Sequence, residues 1–244
     1  MTQNAAPRRR KPIENRVPLS RALSKLGLLS RKQAVEAIRA GRVSVDGRIV
    51  RREAVLVVPE RVRLRLDGIE RRRVPWRAIV FHKPRGVVTT RRDPEGRPTV
   101  YDVLGETAAG LIAVGRLDLA TSGLLLLTSD TRLGDWITDP VHEVPRVYAV
   151  TVRGRVEASC LAAFAADIAI RKASARESHL TVELHEGRNR QVRRMFHAMG
   201  HEVTRLKRLK FGGLGLGDLA PGQFRELLRA EIAAAFPGAP VREV

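Results

Sequence analysis

One aspartate stands in a polar loop directly before a strongly apolar stretch. The loop carries Gly-Arg-Leu-Asp at 115–118, and Ser122-Gly123 leads into four consecutive leucines at 124–127. Such a run is typical of a strand covered on both faces, so the loop is predicted to be anchored to the core. A carboxylate held at a fixed place can attack a substrate or accept a proton from it. The alternative is that Asp118 only caps a turn.

The charge of the chain indicates the class of its partner. Lysine and arginine together number 45 among 244 residues, against 26 aspartates and glutamates, which gives a net charge of +19. Most of these cations are arginines. Guanidinium groups pair bidentately with phosphate and stack on bases, so a nucleic acid is favoured over an acidic metabolite as the partner.

Other features argue against membranes, disulfides and metals. No stretch approaches the roughly 18 apolar residues of a spanning helix, and residues 1–12 lack the apolar core of a signal peptide, so a cytoplasmic protein is expected. Cys160 is the only cysteine, which excludes an internal disulfide. His197 and His201 are four residues apart, but Gly200 between them is typical of a helix end, so no metal site is predicted.

A second basic cluster lies at 187–195, with the sequence Gly-Arg-Asn-Arg-Gln-Val-Arg-Arg-Met. Apolar residues spaced i, i+3, i+4 and i+7 from Val192 predict a helix that packs on a sheet. This packing leaves the polar side of the helix and the preceding turn for RNA phosphates. The residues expected to contact RNA there are Arg188, Arg190 and Arg194.

Residues 17–64 are predicted to form a small domain of two helices and a hairpin. Leucines three and four residues apart define a first helix that ends at Gly27, Ser-Arg-Lys-Gln at 30–33 is a capping box for a second, and Asp46-Gly47 is a hairpin turn. Residues 1–16 are predicted to be a disordered basic arm. Residues 65–77, which include the run Arg71-Arg72-Arg73 and Pro75, are predicted to be a linker.

This small domain resembles the RNA-binding module of ribosomal protein S4. The resemblance places four cations on the RNA-facing side of the two helices: Arg21, Lys25, Arg31 and Lys32. Two of them also lie at a helix N-terminus, where the helix itself attracts phosphate. The alternative is an ordinary solvated face.

Residues 78–244 are predicted to form a larger α+β domain. Residues 146–152 and 180–184 alternate apolar and polar side chains, as half-buried strands do. The sequence contains no Gly-rich nucleotide loop, no repeat and no regular alternation of strands and helices. A mixed, largely antiparallel sheet with packed helices is therefore predicted.

The aspartate loop, together with the basic cluster, resembles the ribosomal RNA pseudouridine synthases of the RsuA/RluB type, over residues 18 to about 228. By this resemblance Asp118 is the catalytic aspartate, Arg193 pairs with it, and Tyr148 stacks on the flipped uracil and takes its C5 proton. Lys83, in a Lys-Pro-x-Gly-like segment, shapes the pocket, and Arg116 joins it in contacting the substrate RNA. An arginine beside a buried carboxylate keeps it ionised, so the pairing is chemically sensible.

The resemblance implies the isomerisation of a specific uridine in ribosomal RNA to pseudouridine. No electrons or groups are gained in that reaction, so no cofactor is expected. The expected partner is ribosomal RNA or a ribosomal subunit precursor, 23S in preference to 16S RNA, bound by a monomer. Asp118 either attacks or deprotonates the ribose.

Two other functions remain open at the level of sequence. A catalytically silent ribosome-assembly factor would keep the RNA contacts, but it would have no need for Asp118, Tyr148 and Arg193 together. A base-excising glycosidase would require a second carboxylate or an activated water, and no convincing second carboxylate is recognised near the motif.

Overall fold

The fold was analysed in a computed structural model, which describes residues 16–25, 28–29, 31–58, 61–70, 75–161 and 167–241. The chain divides into two compact units, Met1–Val74 and Pro75–Val244. Several sequence predictions fall outside the described residues. These are the basic arm up to residue 15, the helix end at Gly27, the cap at Ser30 and the arginines at 71–73.

The first unit combines two short helices with small antiparallel sheets. Its elements are β1 (Val17–Pro18), α1 (Leu19–Lys25), α2 (Arg31–Arg39), β2 (Val43–Val45), β3 (Arg48–Ile49), β4 (Leu56–Val57), β5 (Leu64–Leu66) and β6 (Ile69–Glu70). β1 pairs with β4, and the other strands follow the order β3-β2-β5-β6. Leu19, Leu23 and Ile38 are fully buried between helices and sheet. The predicted hairpin at Asp46-Gly47 is present, and both residues have positive φ, as its turn type requires.

The predicted linker at 65–77 is wrong in its first half. β5 pairs with β2, and β6 continues the sheet through a second hairpin whose turn is Asp67-Gly68. Both turn residues again have positive φ, at 55° and 76°. The signal was available in the sequence, because Asp-Gly between short apolar-alternating segments is a hairpin signature. The three arginines that follow, at 71–73, are instead typical of a linker by composition.

The second unit is built on one large sheet with helices packed against it. Its strands are β7 (Ala78–Lys83), β8 (Ile112–Ala113), β9 (Ser122–Thr128), β10 (Arg146–Arg153), β11 (Asp167–Ala173), β12 (Glu177–Leu184), β13 (Val203–Phe211), β14 (Leu214–Gly215) and β15 (Phe224–Glu226). Its helices are α3 (Val100–Leu104), α4 (Thr131–Thr138), α5 (Gln191–Ala198) and α6 (Arg229–Ala235), with short 3₁₀ turns at Gly105–Ala108, Pro140–His142 and Ala158–Cys160.

The sheet has the order β11-β12-β10-β13-β9-β7-β15, with β14 beside β13 and β8 beside β9. β13 and β9 run parallel, and the other neighbouring strands are antiparallel. The predicted α+β class with a mixed, largely antiparallel sheet is therefore confirmed. No helix in the described part of the chain is long and apolar enough to cross a membrane.

β9 is buried on both faces, as its four leucines predict. Leu124 and Leu126 pack into a cluster with α4 and α6, whereas Leu125 and Leu127 pack on the opposite face with α3. All four side chains are fully buried. The loop that precedes β9 is therefore attached to a strand that cannot move without disturbing two cores.

Candidate active site

A cavity of about 290 Å³ opens beside the loop that precedes β9. Most of its lining comes from three parts of the chain: residues 115–118 of this loop, residues 186–192 before and at the start of α5, and residues of the central strands β10 and β13. The wall therefore brings together the two clusters that the sequence singled out, which are about 70 residues apart. Asp118 and Tyr148 both line this cavity.

The backbone of the Asp118 loop is held at four consecutive carbonyls. The carbonyl of Asp118 accepts a hydrogen bond from the Thr121 amide at 3.0 Å, which closes a tight turn, and that of Leu119 accepts from the Gly86 amide at 2.9 Å. The next two carbonyls accept from side-chain cations: Ala120 from Arg193 and Thr121 from Lys83. Three of these four hydrogen bonds join the loop to other parts of the second unit, so the backbone at Asp118 is held in place.

The Asp118 side chain remains accessible from the cavity, with 35% of its area exposed. Nη1 of Arg190 lies 3.9 Å from its carboxylate. Arg190 precedes α5 and has a left-handed backbone, with φ at 49°. Non-glycine residues uncommonly adopt this conformation, which costs energy and occurs both in tight turns and at functional sites. This backbone turn brings the Arg190 side chain to the aspartate.

The predicted ion pair between Asp118 and Arg193 is not formed. Nη2 of Arg193 donates to the Ala120 carbonyl at 3.1 Å, and Nη1 donates to the Val203 carbonyl at 2.9 Å. Burial lowers the pKa of the Arg193 guanidinium, and the charge of Asp118 partly opposes this shift. Arg193 therefore positions the loop that carries the aspartate, and Arg190 is the arginine that faces the carboxylate.

Lys83 is buried, so its predicted contact with substrate RNA is wrong as a direct contact. Its side chain has 0% exposure, and Nζ donates to the carbonyls of Thr121 at 2.8 Å and Pro84 at 2.9 Å. Burial lowers the pKa of Lys83 to about 8, and the nearby negative charge of Asp118 opposes this shift. The Lys-Pro segment thus supports the aspartate loop from behind.

Two arginines form the wall behind Tyr148. Nη1 of Arg146 donates to the carbonyls of Val144 and His185, and its guanidinium lies 5.1 Å from the centre of the Phe211 ring. Arg208 lies 4.5 Å from the centre of the same ring and donates through Nε to a carbonyl of β9. Both are at least 95% buried, with 5% and 3% exposure.

Neither Arg146 nor Arg208 was predicted from the sequence to line the site. Arg146 begins a strand that was recognised, but arginine at a strand end normally faces water. Arg208 lies in β13, which was not predicted, because its buried positions at 203, 206, 208 and 211 do not alternate strictly. An arginine at an inward position gives no sequence signal different from that of a solvated one.

The remaining residues predicted to contact RNA are at the surface. Arg116 borders the cavity, and Arg188 is exposed and pairs with Glu186 at 2.8 Å. Arg194 is exposed on α5 and borders a second basic depression, which shares Arg190 with the cavity. In the first unit, Arg21, Arg31 and Lys32 are exposed, whereas the structure describes only the backbone of Lys25, in α1.

Glu186 is a second carboxylate on the cavity wall, which the sequence analysis did not recognise. Its oxygens accept hydrogen bonds from Gln191 at 2.6 Å and pair with Arg188 at 2.8 Å. A catalytic acid requires a carboxyl group that is free to donate a proton. Glu186 instead connects the two ends of the turn that carries Arg190.

Family models and relatives place this chain in the same protein family. Residues 77–198 match the model described as RNA pseudouridylate synthase, and residues 17–62 match the S4 domain. The chain is 34% identical to an uncharacterised RNA pseudouridine synthase of Aquifex aeolicus over 93% of this chain and 97% of the relative. It is also 34% identical to the ribosomal large subunit pseudouridine synthase B of Bacillus subtilis, over 88% and 93% of the two chains.

A solved structure shows the same similarity. A crystal structure of a pseudouridylate synthase superposes with a TM-score of 0.60 at 31% identity, and covers 88% of this chain and 98% of that one. The matched region includes both units described above, since it spans nearly nine-tenths of the residues.

Proposed function

The chain belongs to the RNA pseudouridylate synthase family and carries an S4 domain, and from this premise we propose that it converts one uridine of 23S ribosomal RNA to pseudouridine. Asp118 is the reacting carboxylate, and no cofactor takes part. The choice of 23S over 16S RNA is supported by relatives named ribosomal large subunit pseudouridine synthase B. Ribosomal RNA as the substrate implies action in the cytoplasm.

This proposal rests on the way in which the backbone around Asp118 is held. Four consecutive carbonyls of its loop are paired, two of them with the cations Lys83 and Arg193, while the carboxylate itself faces the cavity. Such an arrangement holds the backbone and leaves the side chain available. Positioning of a reacting group in this way can account for several kcal/mol of a barrier.

The reaction breaks the bond from N1 of uracil to C1′ of the ribose and forms a bond from C5 to C1′. The proton lost from C5 is balanced by the proton gained at N1, so nothing is consumed. Asp118 acts on the ribose, and Tyr148, on the same cavity wall, stacks on the uracil and accepts the C5 proton through its hydroxyl. The cavity of about 290 Å³ is of the size needed for one extruded nucleotide.

The exposed cations bind the RNA backbone in this proposal. Arg188 and Arg190 line the cavity and Arg194 borders the second depression, whereas Arg21, Arg31 and Lys32 are exposed on the first unit. Phosphate contacts give affinity without sequence choice, so the target uridine is selected by the shape of the RNA and by the extrusion of its base.

The direct test measures pseudouridine in 23S and 16S RNA from a strain that lacks the gene, before and after incubation with the purified protein. The wild type should restore pseudouridine at one 23S position. Asp118→Asn should restore less than about a hundredth as much per unit time, because covalent and acid–base roles contribute ~10² or more to rate. Its affinity for the RNA should change by less than about twofold.

Asp135→Asn is the matched control, since Asp135 is exposed on α4 away from the cavity wall. It should behave as the wild type does. Binding of RNA without any pseudouridine would instead identify a silent assembly factor. Release of free uracil would identify a glycosidase, and restoration of a 16S position would overturn the choice of RNA.

A further inference from the structure

Arg208 is a buried cation that the reaction described above does not use. Its side chain is 3% exposed, and Nε donates to the Leu124 carbonyl at 2.7 Å. Its guanidinium packs 4.5 Å from the centre of the Phe211 ring. Nη2 is enclosed, and it has no hydrogen-bond partner among the described residues. A buried donor without a partner normally destabilises a fold, so its presence beside a cavity requires an explanation.

The sheet register places Arg208 directly opposite Tyr148. The two residues are cross-strand partners of β13 and β10, so their side chains emerge on the same face of the sheet with Cβ atoms about 5 Å apart. Both side chains line the cavity. Burial lowers the pKa of Arg208, and the neighbouring Tyr148 opposes this shift.

The position of Arg208 in the sheet is fixed by close backbone packing. Gly123, next to the Asp118 loop, lies against the backbone of Arg208, and a Cβ at Gly123 would overlap that backbone. Arg208 is thus held between the loop that carries the aspartate and the strand that carries the tyrosine. The two carboxylates on the cavity wall, Asp118 and Glu186, lie against Arg190 and Arg188 and form no ion pair with Arg208 or Arg146. The positive charge at this wall is therefore available to the site.

We propose that Arg208 is a positioning residue that acts through Tyr148, by donating to the phenol oxygen and directing the hydroxyl proton into the cavity. Guanidinium has donors and no acceptor, so the phenol oxygen can only accept from it. The hydroxyl proton must then point away from Arg208. Catalytic hydrogen bonds are often long before substrate binds, and we expect this one to shorten when a base fills the cavity.

This role rests on the proposed use of Tyr148 as the group that accepts the C5 proton. For that step the phenol first gives its own proton to N1 of the detached uracil, and its oxygen then carries a negative charge until it takes the proton from C5. A fixed guanidinium beside the oxygen stabilises that charge. The proton gained at N1 balances the one lost from C5.

The first test is a cycle of four proteins: wild type, Arg208→Gln, Tyr148→Phe and the double variant, assayed by single-turnover kinetics on 23S RNA. Arg208→Gln should slow turnover at least ~10-fold in the wild type but less than ~2-fold in the Tyr148→Phe background, because the hydroxyl through which it acts is then absent. Arg208→Lys should recover part of the loss by restoring the charge. Equal losses in both backgrounds would overturn the proposal.

A second measurement, by NMR, detects the contact between Arg208 and Tyr148 independently of catalytic activity. The protein contains only two tyrosines, Tyr101 and Tyr148, so tyrosine labelled with ¹³C at Cζ gives two NMR signals, which Tyr148→Phe assigns. Arg208→Gln should move the Tyr148 signal and leave that of Tyr101, on α3, in place. Arg205→Gln, an exposed arginine of the same strand, is the matched control and should move neither.

The two measurements separate failure of this inference from failure of the proposed function. If Tyr148→Phe turns over normally, the hydroxyl is not used in the reaction, and the catalytic role of Tyr148 fails. The NMR result then still decides whether Arg208 contacts that hydroxyl. If the Tyr148 signal does not move in folded Arg208→Gln, as judged by an unchanged Tyr101 signal, Arg208 is a structural residue only.

Discussion

The cations inside the second unit and those on its surface have different surroundings, although most of them are the same type of residue. Lys83, Arg193 and Arg208 are at least partly buried, and each donates to backbone carbonyls around the Asp118 loop or the strand that follows it. Arg188 and Arg194 are exposed to solvent. The interior cations therefore hold the backbone around Asp118 and β9, and the surface cations are open to solvent and to an anionic partner.

The contrast is sharpest at two consecutive residues of α5. Arg193 points toward the core side and connects the Ala120 and Val203 carbonyls, whereas Arg194 faces outward. A net charge of +19 counts both in the same way. The overall charge therefore indicates an anionic partner, but it does not show which arginines contact that partner.

The largest expected effect separates this adjacent pair. Arg193→Gln should lower turnover at saturating RNA by ~10² or more, because the Ala120 carbonyl is released and Asp118 loses its fixed position. RNA affinity should change less than about twofold. Single-turnover assays and filter binding on the same RNA measure the two quantities.

Arg194→Gln is its matched control, with the opposite pattern. It should weaken RNA binding about 3-fold and lower the slope of log affinity against log salt by roughly 0.7 to 0.9, while turnover at saturation stays within twofold. If both variants lose the same quantity, the contrast between interior and surface arginines is wrong.

The next effect is expected in the pH dependence of stability, through the interior residue Lys83. Burial lowers the pKa of Lys83 from its ordinary value of 10.5 to about 8. Between these values the unfolded chain binds more protons than the folded chain, so the contribution of Lys83 to stability rises with pH and is lost as pH falls through 8. The free energy of unfolding of wild type minus that of Lys83→Met should rise by about 1 to 3 kcal/mol from pH 8 to 10.5.

Denaturant unfolding at a series of pH values measures this difference. Lys172→Met is the control, since Lys172 is exposed on β11, and its difference from wild type should remain flat across the same range. A flat difference for Lys83→Met as well would show that the ammonium is not buried in the folded protein.

A smaller kinetic effect is expected for the same lysine at neutral pH. Lys83→Met leaves the Thr121 and Pro84 carbonyls without their donor, but it also removes the desolvation penalty of a buried charge. Stability near pH 7 should therefore change by less than about 2 kcal/mol, whereas turnover falls about tenfold because the loop loosens. Arg85→Gln, an exposed neighbour, should keep turnover within twofold. Equal turnover of Lys83→Met and wild type would refute the supporting role.

The smallest effect is expected in the first unit, where each cation adds one phosphate contact. Replacement of Arg21, Arg31 and Lys32 together by glutamine should lower the log–log salt slope of RNA binding by roughly 2 to 3. Turnover at saturating RNA should not change. Thermal unfolding should also stay near that of wild type, because these side chains are exposed. An unchanged slope would mean that this surface does not bind RNA.

Much of the fold and part of the site could be predicted from the sequence. The buried strand after Asp118, the amphipathic helix from Val192 and the hairpin at Asp46-Gly47 are confirmed, because each depends on a local pattern of apolar spacing or turn residues. The second hairpin, at Asp67-Gly68, had the same local signal, but the arginines beside it suggested a linker. That error came from weighting composition above turn chemistry.

The sequence by itself determined that a carboxylate lies directly before a buried strand, and that the chain is basic enough to favour RNA as its partner. These properties follow from local spacing and from net charge. Only the tertiary structure decided which cation meets which group. Arg190 and not Arg193 faces Asp118, Lys83 is buried under the loop, and Arg208 lies opposite Tyr148. The physical reason is that a cation's partner depends on strand pairing and helix docking between segments 30 to 80 residues apart, and on the burial that results. An arginine in the sequence carries the same charge whether it will lie inside or outside.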